Sequence, residues 1–204
     1  MANSEQSFAL RRLHSLLGVL PIGVFLLQHL FVNHFAVYGE ESFNRASDFM
    51  GNLPLKLLLE TVIIYIPILF HAIYGIYIAF TAKNNIGHYS TFRNWMFMLQ
   101  RVTGILTFLF IAVHVWQTRV QVALHGIHVD YDMMNHIFAN PFFIIFYVLG
   151  VLSTVFHFAN GLWSFAVTWG ITQNEKSQRI MSYVSAIIFV LVSALGLIAL
   201  FAFI

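Results

Sequence analysis

Cysteine is absent from the 204 residues, and Asp, Glu, Lys and Arg together make up only 9% of them. Without cysteine the chain forms no disulfide, holds no iron-sulfur cluster by thiolates, attaches no c-type haem and offers no thiolate nucleophile. With so few charges against 59% hydrophobic residues, a soluble chain of this length could not cover its core. The mean hydropathy of +0.79 marks an integral membrane protein. The formal net charge of +2 is small and scattered, which argues against nucleic acid as a partner and leaves the charges to report topology. Histidine is the exception to this poverty of polar groups: there are ten, and they are the abundant metal-ligand type.

The chain is read as all-α, one membrane domain over residues 1–204, with spans at about 13–38, 55–82, 95–118, 141–169 and 182–204. Residues 1–10 form a short polar lead, and the run that follows Arg11 and Arg12 is too long for a signal peptide's apolar region. Residues 40–52 and 119–140 read as polar connections, Pro67 lies inside the second span, and the last span carries neither charge nor histidine. A proline there is tolerated where neighbouring helices satisfy the freed carbonyl. Arg11, Arg12, Lys83, Arg93, Arg101, Lys176 and Arg179 fall on one side of this layout, against Arg45, Lys56 and Arg119 on the other. Cations gather on the cytoplasmic side, so the amino terminus is expected inside.

Each of the first four spans carries an intramembrane histidine: His29, His71, His114 and His157. Helical rise puts His29 about 25 Å beyond Arg12 and His114 about 7 Å from the outer end, while His71 and His157 lie roughly 18–20 Å from the inner edge. The offsets 114 − 29 = 85 and 157 − 71 = 86 suit a duplicated helical hairpin, each copy supplying one outer and one inner histidine. Spans one and three run the same way, as do two and four, so each matched pair sits on a diagonal of an up-down bundle. Adjacent helices pack at about 8–10 Å, too close for a macrocycle, whereas the diagonal crosses the bundle centre. His71 and His157 each follow a Phe and precede a Gly, Gly75 and Gly161, by four residues. A residue without a side chain one turn away is expected to leave room for a flat ligand beside the imidazole. The pattern therefore points to two stacked haems inside the first four spans, His29 and His114 holding the outer one and His71 and His157 the inner one. Two axial imidazoles leave no open iron position, which means electron transfer rather than oxygen chemistry. Intramembrane ionisable groups are costly and usually functional; a lone one often only hydrogen-bonds between helices.

The remaining candidates are plainer. His34 lies about 140° round the helix from His29 and leaves the haem face. His88, His125, His128 and His136 sit in connections, and Trp95, Trp116 and Trp169 suit an interfacial belt. Arg12, His14 and Arg101 serve either haem propionates or the membrane boundary. Glu60 is either a proton relay toward a quinone or a helix-end carboxylate at the headgroups.

Arg11-Arg12-Leu13-His14-Ser15, Gln28-His29, Phe70-His71 with Gly75, Gln100-Arg101-Val102-Thr103-Gly104, His114-Val115-Trp116 and Phe156-His157-Phe158-Ala159-Asn160-Gly161 together resemble the di-haem cytochrome b subunit of succinate:quinone oxidoreductases. The likeness is to the five-helix, Bacillus-type form and covers essentially the whole chain. It implies a bacterial cytoplasmic membrane subunit of succinate dehydrogenase that anchors a flavoprotein subunit and an iron-sulfur subunit on the inner face. Electrons would pass through the two b haems to menaquinone, with the same four ligands and no dicarboxylate chemistry on this chain. The resemblance names no catalytic residue for the quinone. A fumarate reductase anchor would share the bundle and differ in working direction. A metal transporter would gather its histidines at one depth with carboxylates, and the ubiquinol:cytochrome c type of cytochrome b places two histidines about fourteen residues apart on each of two helices.

Overall fold

The computed structural model describes residues 2–204, with side chains from residue 6 onward; Met1 of the polar lead lies outside the described residues. Helices account for most of the described residues, and no strand occurs among them. They are α1 (Ala2–Val19), α2 (Pro21–Asn33), α3 (Glu40–Gly51), α4 (Lys56–Leu59), α5 (Ile66–Thr81), α6 (Phe92–Val115), α7 (Gln121–His125), α8 (Tyr131–Phe138), α9 (Pro141–Thr168) and α10 (Glu175–Phe201). A 3-10 segment, His34–Tyr38, extends α2, and wider π-helical turns, Glu60–Tyr65 and Trp116–Val120, join α4 to α5 and α6 to α7. Among the described residues five helical runs are long and apolar enough to cross a membrane: Gln6–Tyr38, Lys56–Thr81, Phe92–His125, Pro141–Thr168 and Glu175–Phe201. An intact helix satisfies its own backbone polar groups, which lipid cannot do.

Local signals explain where these runs begin. The Thr91 side chain accepts from the Asn94 amide, Asn140 accepts from Phe142 just ahead of Pro141, and Asn174 forms a reciprocal capping box with Ser177. These residues supply the acceptors that the first amides of a helix lack. The fifth run therefore starts at Glu175, a full two turns before the expected 182, because a cap and not hydrophobicity sets the start. The expected polar lead is helical from Ala2, and the third run continues past 118 to His125 because the π-helical turn absorbs Arg119 without a break.

The polar connections also differ from expectation: nearly all of 40–52 folds as α3, and 119–140 contains α7 and α8. α3 and α8 sit at the end of the bundle away from the amino terminus, called here the far side. Each hides large apolar side chains among acids and amides, so Phe43, Met134 and Phe138 join Phe110, Tyr147 and Phe203 in the main buried cluster. Tyr131 donates to the Ala202 carbonyl at 2.6 Å and Asn135 to that of Phe203 at 2.9 Å, which satisfies acceptors at the carboxyl end of α10. Span one packs against spans two and four, span three against span four and more lightly span two, and span five against span four and α2. Spans one and three, and spans two and four, thus face each other on diagonals. Gly150 has no side chain because the Phe110 ring occupies the place a Cβ would take, the close approach small residues permit in membrane bundles.

Candidate functional site

The bundle brings the four intramembrane histidines together as two pairs, each on a diagonal. On the amino-terminal side, His71 and His157 have ring centroids 6.0 Å apart and planes 86° apart; on the far side, His29 and His114 are 5.8 Å and 76° apart. Two imidazoles flanking one metal ion, with metal–nitrogen bonds of about 2.0–2.1 Å and a ring radius of about 1.1 Å, hold their centroids about 6.3 Å apart. Both pairs lie within half an ångström of that spacing. None of the four imidazoles is fully buried although each lies well inside a span, whereas the cluster under α3 and α8 is tightly closed. The spacing and partial exposure of both pairs are compatible with a ligand held between the two rings.

The amino-terminal pair is held by duplicated contacts. His71 Nδ1–H donates to the His14 carbonyl at 2.9 Å, and His157 Nδ1–H donates to the Gln100 carbonyl at 3.0 Å. In both cases the carbonyl lies 57 positions earlier, on the first helix of the same hairpin. A carbonyl can only accept, so Nδ1 carries the proton and Nε2 is left as a lone-pair donor, the form in which histidine binds a metal. One turn on from each carbonyl is a glycine that the imidazole edge rests against. A Cβ at Gly18 would sit 2.5 Å from His71 Cε1, and one at Gly104 would sit 2.9 Å from His157 Cε1.

The expected role of Gly75 and Gly161 changes accordingly. Helical side chains lean toward their own amino terminus, so His71 and His157 tilt away from the glycines one turn after them. The space beside Gly75 is faced by His14 Nε2 and that beside Gly161 by Gln100 Nε2. The His14 ring stacks on His71 at 4.0 Å and 7°, while Gln100 donates to the His157 carbonyl at 2.9 Å and accepts from Asn160 at 2.7 Å. Gln100 stands 86 residues after His14, the offset of the inner histidines; applied to every polar residue, that repeat would have found it.

The far-side pair is held differently. His114 Nδ1 lies 3.3 Å from the Tyr147 hydroxyl, which donates to Gln117 Oε1 at 3.1 Å. The phenol oxygen therefore accepts from His114 Nδ1–H. Phe110 stacks one turn before His114, and Phe25 lies one turn before His29. His29 has Asn33 beside it, whose amide donates to the His29 carbonyl at 2.8 Å. Nothing in the apolar run Pro141–Thr168 marks Tyr147 as a partner of His114, 33 residues away.

The family model for the succinate dehydrogenase/fumarate reductase transmembrane subunit matches residues 81–197. Over 202 residues, 99% of this chain and all of the relative, the sequence is 57% identical to the succinate dehydrogenase cytochrome b558 subunit of Bacillus subtilis (strain 168). The chain belongs to this family of transmembrane subunits. Its other candidate residues take structural places. Glu60 receives Arg119 Nη2 at 2.8 Å, with Lys56 at 4.0 Å and the Tyr65 hydroxyl at 3.4 Å, so it ties span two to span three at the far end. The Arg12 guanidinium lies 4.3 Å over the Trp169 ring, joining spans one and four at the amino-terminal end of the transmembrane subunit. Arg93 lies over Trp163 and hydrogen-bonds Ser182. His128 and His136 line an open far-side pocket of about 530 Å³ with Gln117, Gln121 and Asp130. Among the described residues no group of three or more His, Cys, Asp or Glu is placed to hold a metal ion; the histidines inside the spans come in twos.

Proposed function

We propose that this chain is the cytochrome b membrane anchor of succinate dehydrogenase, complex II, and that it passes electrons from an iron-sulfur subunit through two bis-histidine b haems to menaquinone. The observation that carries the reading is the pair of imidazole spacings, 6.0 and 5.8 Å, at two levels of one bundle. The relative's designation as a cytochrome b558 subunit of succinate dehydrogenase supports both the haem and the partners. In this reading His71 and His157 hold the inner haem and His29 and His114 the outer one. The amino terminus lies inside, where a flavoprotein and an iron-sulfur subunit dock.

His29, His71, His114 and His157 would hold the haems, which would supply one-electron couples. The chain's own residues do the rest. The His14 and Gln100 carbonyls fix the protons of His71 and His157 on Nδ1, so that Nε2 keeps its lone pair for a ligand. Gly18 and Gly104 let the edge of each imidazole come close to the neighbouring helix. Apolar lipid-facing side chains keep water from the spans, while the two levels give electrons a route along the bundle from one face toward the other. The family includes fumarate reductase subunits, which would run the same route in reverse.

A pyridine haemochrome assay and a reduced-minus-oxidised spectrum on the purified complex test the reading directly. About two low-spin b haems per chain are expected, as bis-imidazole ligation requires. Absence of haem from a preparation with ample haem supply would overturn it and leave the histidines to metal or proton traffic.

A further inference from the structure

The two histidine pairs are anchored by different chemistry, and the difference points outward. His71 and His157 donate to backbone carbonyls inside the bundle. His114 instead meets the hydroxyl of Tyr147, which donates in turn to Gln117. Gln117 is also a wall of the open far-side pocket that holds His128, Asp130 and His136. One imidazole of the far-side pair is therefore joined by two hydrogen bonds, through the buried Tyr147, to Gln117 at the far-side pocket.

We propose that Tyr147, seated on Gln117, is a positioning residue that sets the electron donation of His114 and so makes the outer haem electronically distinct from the inner one. This rests on the haem reading given above. An acceptor on Nδ1–H makes the imidazole a stronger donor at Nε2 and favours the oxidised iron. The acceptor here is a phenol whose own proton is engaged by an amide, which enriches the phenol oxygen and strengthens the contact. The ring is held for this task on several sides: Tyr147 is almost wholly buried, with Phe110 at 5.2 Å and Phe138 at 5.0 Å, both near-perpendicular to it. Removing the hydroxyl alone leaves that packing in place and takes away only the acceptor.

The test is Tyr147→Phe in the assembled complex, with haem content, optical redox titration and the low-spin EPR signals as readouts. The outer haem is identified as the one lost in His29→Ala. Two haems should remain, with the midpoint potential of the outer one moved upward, its EPR signal shifted and the inner one unchanged. Gln117→Leu keeps the phenol but removes its acceptor, and should move the same haem in the same direction by less, which keeps the test alive if the Tyr147 variant fails to assemble. Unchanged potentials, or equal shifts at both haems, would overturn the proposal. A wild-type complex lacking two haems would instead overturn the haem reading itself, so the two failures are distinguishable.

Discussion

A histidine in the middle of a membrane span is either costly or used, and what decides between the two is the partner of each ring nitrogen. For His71 and His157 one nitrogen has a carbonyl, and the rings stand 6.0 Å apart across the bundle. That arrangement predicts the effect of losing a ring. His71→Ala or His157→Ala should drop haem content from about two to about one per chain, since a second imidazole alone does not retain a six-coordinate low-spin site. Retention of both haems by pyridine haemochrome in either variant would remove these residues from the ligand set. His14 stacks on His71, but the group it contributes to Nδ1 is its backbone carbonyl, so its side chain can change without removing that acceptor.

At the scale of helices, what matters is how close two backbones come. Gly18 and Gly104 meet the imidazole edges of the neighbouring helix, while Gly161 faces only the flexible amide of Gln100, 3.4 Å from where a Cβ would stand. Overpacking a tight contact costs typically about 1–3 kcal/mol. Gly18→Val should therefore lower inner-haem occupancy and the thermal midpoint of the complex, whereas Gly161→Ala should leave both near wild type. Equal sensitivity at the two positions in haem content and thermal denaturation would contradict the geometry. The same scale accounts for the misread connections. α3 and α8 carry enough polar residues to look like loops, yet Phe43 and Phe138 are buried to within a few per cent because the open end of the bundle needs an apolar lid.

For the whole molecule, the distribution of charge makes the strongest commitment. Seven of the ten Lys and Arg residues lie on the amino-terminal side of the span layout, and on that bias we propose that this side faces the cytoplasm. The absence of native cysteine makes the orientation easy to measure. Ser90→Cys should resist a membrane-impermeant maleimide in intact cells and react after permeabilisation, while His128→Cys should react from outside. The reverse pattern would invert the bundle and exchange the inner and outer haem assignments.

Length, composition and spacing sufficed for the five spans and the two diagonal histidine pairs, because a membrane span and a repeat of 85 or 86 residues are both written along the chain. Hydrophobicity placed the spans' middles but not their ends, which belong to caps such as Asn174 and to π-helical turns. What one imidazole touches on another helix is not local at all. The carbonyls of His14 and Gln100, the glycines at 18 and 104 and the hydroxyl of Tyr147 come from segments 33 to 57 positions away in the chain. Only the packed bundle could decide which nitrogen of His71 and His157 meets a carbonyl and which glycine each ring rests on. Side-chain tilt and helix crossing set those contacts, and neither follows from the order of residues along one helix.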